Sequence, residues 1–211
     1  MAKITLICGD SATLSGEADL MLTDPPFDMP GKRLAEIVAR YRVQHLVLIT
    51  TMRQLLEFMP HSPFELAFDF VIDGVAPKQS KSLQQPNYTH QTGVYLKWPG
   101  VKSAFNRKRR QRSDQFSAAL GYWPTLIRAP REDMQTHGMA KNLSAITDIL
   151  GSFNAQSVID PFAGRGTVGL AAAELDIDCT IIERDSNNVA AARKLLNFVG
   201  NSIEVIHAFC R

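Results

Sequence analysis

Long apolar runs, cysteine pairs and a strong excess of one charge are all missing from this 211-residue chain. No stretch approaches the roughly 18 apolar residues that a membrane-spanning helix needs. Residues 1–10 read as a short strand, without the charged head and long apolar core of a signal peptide. A cytoplasmic protein with no membrane partner is therefore expected. The three cysteines, Cys8, Cys179 and Cys210, are odd in number and widely spaced, and none forms a Cys-x-x-Cys pair. That argues against a metal or redox role for them, and no metal is expected. Two of the three lie in strand-like apolar runs, so they are expected as small buried hydrophobes in a reducing compartment. With 23 Lys and Arg against 21 Asp and Glu, the net charge is +2. Such a balance permits a nucleic-acid partner without demanding one, so the distribution of charge must decide.

What is present is the composition of an ordinary globular protein, 45% apolar and 21% charged, long enough for one sizeable α/β domain. Apolar strand-like runs occupy residues 4–8, 20–23, 45–50 and 64–72. Helical spacing covers residues 32–42, through Leu34, Ile37, Val38 and Tyr41, and residues 52–58. The back of the chain alternates in the same way. Helices are expected at 142–150, 166–175 and 187–199, and strands at 157–159, 179–182 and 203–206. Strands alternating with helices imply an α/β fold with a doubly wound, mostly parallel sheet.

The middle differs. From residue 73 to about 131 the apolar periodicity fades, with one further strand at 93–96. Residues 97–112 carry seven basic residues and no acidic one: Lys97, Lys102, Arg107, Lys108, Arg109, Arg110 and Arg112. Taken alone, such a run reads as a solvated face. We treat 1–211 as a single domain, with a small insert at 73–135.

Two short segments carry chemistry. In Val158-Ile159-Asp160-Pro161-Phe162-Ala163-Gly164-Arg165-Gly166-Thr167, a strand enters a tight glycine turn that opens a helix. Gly164 and Gly166 permit a sharp turn and close approach of a ligand, and the start of the helix favours an anionic group. Glu183 falls at the tip of the next strand, where an acid reaches ribose hydroxyls. A nucleoside ligand fits this pattern, and a ligand-free βα turn is the plain alternative. The third glycine of a dinucleotide-binding loop is absent. The other segment, Asp24-Pro25-Pro26-Phe27, ends the strand at 20–23. Neither proline can donate to a sheet ladder. The pair makes a rigid edge that offers one carboxylate, neighbouring carbonyls and an aromatic ring. Those groups suit the –NH2 and the flat face of a flipped nucleobase. A surface turn with a satisfied aspartate is the plain alternative here.

Together, and in this order, the two segments resemble the permuted (β-class) DNA amino-methyltransferases, in which the catalytic tetrapeptide precedes the cofactor loop. Residues 6–10, ending in Gly9-Asp10, resemble the family's opening strand. Tyr88-Thr89-His90-Gln91-Thr92-Gly93-Val94-Tyr95 resembles its Arg-His-Glu strand, with Gln91 in place of Glu. His137-Gly138-Met139-Ala140-Lys141-Asn142 resembles its His-Pro-x-x-Lys-Pro element without either proline.

The resemblance implies a Rossmann-like methyltransferase fold using S-adenosyl-L-methionine. It assigns the methionine end of that cofactor to Asp160, Pro161, Phe162, Ala163, Gly164, Gly166 and Thr167. Glu183 takes the ribose, Asp10 the adenine, with strand 203–206 as competitor, and His137 and Lys141 gate the cofactor. Catalysis falls to Asp24, Pro25, Pro26 and Phe27. The basic run sits where the family keeps its target-recognition region, which makes double-stranded DNA the expected partner and those residues its phosphate contacts. Asp at the head of the tetrapeptide favours adenine N6. Cytosine N4, an RNA substrate and a non-catalytic nucleic-acid-binding role are the competing readings. Whether the chain acts as a monomer or homodimer is left open.

Overall fold

The computed structural model describes residues 2–78, 84, 88–106, 123–128, 143–198 and 203–208. Its strands are β1 (Ile4–Cys8), β2 (Gly16–Glu17), β3 (Leu20–Thr23), β4 (Tyr41–Arg42), β5 (His45–Thr50), β6 (Glu65–Lys78), β7 (Tyr88–Lys97), β8 (Leu126–Arg128), β9 (Ser157–Asp160), β10 (Asp178–Glu183) and β11 (Ile203–His207). The helices are α1 (Gly31–Val38), α2 (Met52–Phe58), α3 (Leu143–Gly151), α4 (Thr167–Glu174) and α5 (Ser186–Phe198), with a 3-10 turn at Met59–His61.

Among the described residues nine strands form one sheet in the order β11-β1-β10-β9-β3-β5-β7-β6-β8, and β2 pairs with β4 separately. Every pairing in the large sheet is parallel except those of β7, which runs against both β5 and β6. The central strands β3, β5 and β9 are almost wholly buried, as their unbroken apolar sequences require of a sheet covered on both faces.

Alternation along each strand divides the core in two. Leu20 and Leu22 of β3, Val158 of β9 and Ile181 of β10 face one layer, with Ile146 and Ile149 of α3, Val168 and Ala171 of α4 and Val189 and Leu196 of α5. Met21 of β3, Ile159 of β9 and Leu46 and Leu48 of β5 face the other, with Leu34 and Ile37 of α1 and Leu55 and Phe58 of α2. The chain leaving β9 therefore crosses to one face and the chain leaving β3 to the opposite face. Between these two adjacent strands lies the switch point of the sheet, where ligands bind in open α/β folds.

Several expected elements change length. The helix expected at 32–42 stops at Val38, because Tyr41 and Arg42 become extended and pair with Gly16 and Glu17. Tyr41 still buries its ring in the α1 layer and donates its hydroxyl to the Ser11 carbonyl at 3.0 Å, so apolar spacing alone mimics another helical turn. The sheet also runs on through the irregular middle as β6, β7 and β8. At the amino edge of the sheet the Ala104 amide donates to the Tyr95 hydroxyl at 3.0 Å, leaving the Tyr95 proton for His45 Nδ1 at 2.9 Å. Burial lowers the His45 pKa, consistent with a neutral ring that accepts that proton. Cys179 is free and buried as expected. Cys8 is instead disulfide-bonded, a departure from the expectation of unpaired thiols, and Cys210 lies outside the described residues.

Candidate active site

Parallel pairing brings the carboxyl ends of β1, β10, β9 and β3 to one edge. Cys8 pairs in register with Glu183, and Ile181 with Asp160. Beyond these ends stand four carboxylates from distant parts of the chain: Asp10 after β1, Glu183 ending β10, Asp160 ending β9 and Asp24 after β3. The N-terminal strand lies next to β10 and β11 lies outside it. This puts Asp10, rather than the strand at Ile203–His207, beside Glu183. Asp10 is exposed, and its Oδ1 accepts the Ala12 amide at 2.9 Å.

The glycine turn is tied to this edge by the backbone. The Ala163 amide donates to the Ile182 carbonyl at 2.9 Å, and the Gly166 amide to the Ala163 carbonyl at 2.8 Å. Gly164 and Gly166 have φ of +53° and +85°, a region that costs other residues about 1–2 kcal/mol. A Cβ on Gly164 meets nothing within 4 Å, whereas one on Gly166 would lie 3.0 Å from the Ala192 Cβ. Gly164 thus faces open space and Gly166 the packed side of the turn. Glu183 accepts the Gly164 amide at 2.8 Å on Oε2 and the Asp185 amide at 2.8 Å on Oε1. Two oxygens offer about four lone-pair positions, so its carboxylate retains acceptor capacity toward the edge.

Asp160 spans the switch point. Its Oδ1 accepts the Thr23 hydroxyl at 2.7 Å and the Phe162 amide at 2.9 Å. Burial pushes its pKa up from 3.8 to about 7, against the two hydrogen bonds and with help from the charges of Asp24 and Glu183. Thr23 links the two candidate segments directly, since Asp24 follows it in the chain. Asp24 is half-buried, with its Oδ1 shielded from solvent. Pro25 is buried, whereas Pro26 and Phe27 are exposed. A turn closed by the Met29 amide on the Pro26 carbonyl, at 3.0 Å, carries Phe27. Behind it, Gln54 of α2 donates to the Pro26 and Met29 carbonyls at 2.8 and 2.9 Å.

Neither Thr23 nor Gln54 was singled out in the sequence. The available signal for Gln54 is a polar residue beside Leu55 and Phe58 on the buried face of a short helix. A cavity of about 460 Å³ opens between α5, β1 and β11, with Cys8, Ser186 and Val205 in its wall and neither Asp24 nor Glu183 among its lining residues.

The basic run is placed differently. Lys97 pairs with His45 at the opposite, amino edge of the sheet and makes a salt bridge with Glu65. Lys102 follows on the segment held at that edge by Tyr95. The structure therefore does not bring Lys97 or Lys102 to the carboxylate edge. Trp98 donates its indole N–H to the Val43 carbonyl, and Trp123 packs edge-on against Phe68, Phe70 and Phe105. Arg107, Lys108, Arg109, Arg110, Arg112, His137 and Lys141 lie outside the described residues. Among the described residues no group of three metal-ligating side chains occurs, and no helix is long and apolar enough to cross a membrane.

No protein-family model and no curated protein sequence matches the chain. Solved structures match it in fold. M1.HpyAVI in its complex with SAM is 19% identical, with a TM-score of 0.65 over 92% of this chain and 100% of its own. A Thermus thermophilus protein named as a presumptive DNA modification methylase, complexed with S-adenosyl-L-methionine, is 14% identical, with a TM-score of 0.67 over 98% and 100%. PvuII DNA methyltransferase, cytosine-N4-specific, is 16% identical, with a TM-score of 0.66 over 94% of each chain. The chain has the α/β fold of these proteins, with a large, mostly parallel sheet.

Proposed function

We propose that this chain is a DNA methyltransferase that uses S-adenosyl-L-methionine to methylate the exocyclic amino group of a flipped base, with adenine N6 as the preferred target. One observation carries the reading: the hydrogen bond from Thr23 to Asp160, which sets the Asp24-Pro25-Pro26-Phe27 edge beside the glycine turn at the switch point. Two SAM-bound proteins among the structural matches support the choice of donor. The cytosine-N4 enzyme keeps the second amino group in contention.

The residues present suit the donor. The open side of Gly164, the start of α4 and the spare acceptor positions of Glu183 suit its amino-acid and ribose parts. Asp10 is proposed for the adenine. When bound, S-adenosyl-L-methionine supplies an electrophilic methyl group on a sulfonium sulfur.

The protein's task is to hold the amino nitrogen. Its lone pair is delocalised into the ring, so the amine is a poor nucleophile. The Asp24 carboxylate and the Pro25 carbonyl accept the two N–H groups and favour a more tetrahedral nitrogen, which frees the lone pair. Phe27 offers its exposed face for stacking, and the nitrogen, cationic once the new bond has formed, gives up its proton to solvent. Positioning of this kind supplies up to about 7–11 kcal/mol of the barrier. Phosphate contacts are proposed for Arg107, Lys108, Arg109, Arg110 and Arg112, and not for Lys102, which lies at the amino edge away from the base-binding residues. Lys97 is committed to Glu65 and contributes less.

The test is transfer of labelled methyl from S-adenosyl-L-methionine to unmethylated genomic DNA, followed by nucleoside mass analysis. N6-methyladenine is expected. The Asp24→Ala variant should lose at least about 1000-fold in turnover while its affinity for S-adenosyl-L-methionine stays within twofold. Wild-type turnover in that variant overturns the mechanism, and label confined to N4-methylcytosine changes the base.

A further inference from the structure

Resting on the reading of residues 24–27 as the base-binding edge, we propose that Gln54 is a positioning residue that sets the geometry of this edge through its main chain. Both prolines lack an N–H, so the tetrapeptide cannot tie itself to a neighbouring strand at those positions. Something else must hold its carbonyls. Gln54 does so from α2, with a side chain that is 2% exposed. Its amide has two hydrogens and uses both, on the Pro26 carbonyl at 2.8 Å and the Met29 carbonyl at 2.9 Å. Its Oε1 accepts the hydroxyl of Thr50 at 2.7 Å, and Thr50, 1% exposed, ends β5 beside β3.

This network fixes the amide in one sense. A flipped amide would turn Oε1 toward two carbonyl oxygens and Nε2 toward the Thr50 hydroxyl. The two carbonyls it grips bracket Phe27 and Asp28 in the turn closed by the Met29 amide. A few residues on, Glu57 of the same helix accepts the Gly31 amide at 3.2 Å. Helix α2 therefore holds segment 26–31 at three main-chain points, and through them the direction of the Phe27 ring and the peptide planes after Asp24. A misplacement of about 1 Å at a reacting group costs about 100-fold in rate, so a rigid clamp one layer behind the edge has kinetic consequences without touching substrate.

The experiment compares wild type with Gln54→Met, which keeps length and loses both donors, and Gln54→Glu, which sets a carboxylate against the carbonyls. Amide hydrogen exchange is followed across the whole chain. Turnover on unmethylated genomic DNA and equilibrium binding of labelled S-adenosyl-L-methionine are measured in parallel. Exchange at residues 27–29 should rise at least tenfold in both variants, with β1, β9 and β10 unchanged. Turnover at saturating donor should fall by about 100-fold, with donor affinity within twofold. Unaltered exchange at 27–29, or unaltered turnover, overturns the proposal. So does a loss of turnover matched by equal losses of donor affinity and of protection throughout the sheet, because that is the signature of a general packing role. If the wild-type protein transfers no methyl group to DNA, the functional reading fails. The exchange result then still decides whether Gln54 holds the turn.

Discussion

Asp160 sits where a charge is least welcome, 3% exposed and facing the fields of two further carboxylates. Its pKa, raised from 3.8 to about 7, means that the folded state prefers the protonated form. A raised folded-state pKa contributes stability that is fully present below the ordinary value and is lost as pH climbs through the raised one. The protein should therefore lose stability between about pH 4 and pH 7 on account of this residue. Asp160→Asn keeps an acceptor for Thr23 and Phe162 without the charge. Urea unfolding at stepped pH should show a flatter profile for this variant across that window. An unchanged slope would assign the raised pKa elsewhere. Gly166 is the other residue whose identity is forced. Gly166→Ala adds a Cβ at φ +85°, 3.0 Å from Ala192, and should cost about 1–2 kcal/mol from backbone strain alone, read as a shift in urea midpoint at constant m-value.

Between α1 and α2 the fit is close enough to fix a sequence position. A Cβ on Gly31 would lie 2.4 Å from the backbone of Glu57 and Phe58, which no rotamer change relieves. Gly31→Ala should push the start of α1 off α2 and cost about 1–3 kcal/mol, as overpacking does. It should also raise hydrogen exchange at residues 27–31. Full stability in this variant would mean that the two helices part freely. Elements of this kind were partly legible beforehand. The buried strands of the parallel sheet, α2 and α4 announced themselves through apolar runs and small-residue spacing. The short strands β2, β4 and β8 did not, because two- and three-residue strands are defined by their partners and not by a period of their own. For the same reason the Asp24 and Gly164 segments were visible as local motifs, whereas Thr23 and Gln54 acquire meaning only when β3, β5 and α2 are brought together.

Across the whole molecule, the edge that gathers Asp10, Asp24, Asp160 and Glu183 depends on pairing remote stretches of chain. β1 lies between β10 and β11, and a hydrogen bond beside it joins residues 175 positions apart. Ile4 and Leu6 are fully buried there, at about 1.5–3 kcal/mol each, against a total stability of about 5–15 kcal/mol for a typical domain. A chain lacking residues 1–10 should therefore lose its cooperative unfolding transition, followed by circular dichroism on heating. Retention of that transition would mean that β10 and β11 find another partner. The same arrangement sets a timetable for synthesis. β1 leaves the ribosome long before its partner β10 is made. At about 5–20 residues per second that interval is roughly 10–35 s. Meanwhile β3, β5, β6 and β7 are free to pair among themselves. The nascent protein thus carries an apolar strand with no place to go, and a holding chaperone at β1 would guard the strand that later completes the carboxylate edge.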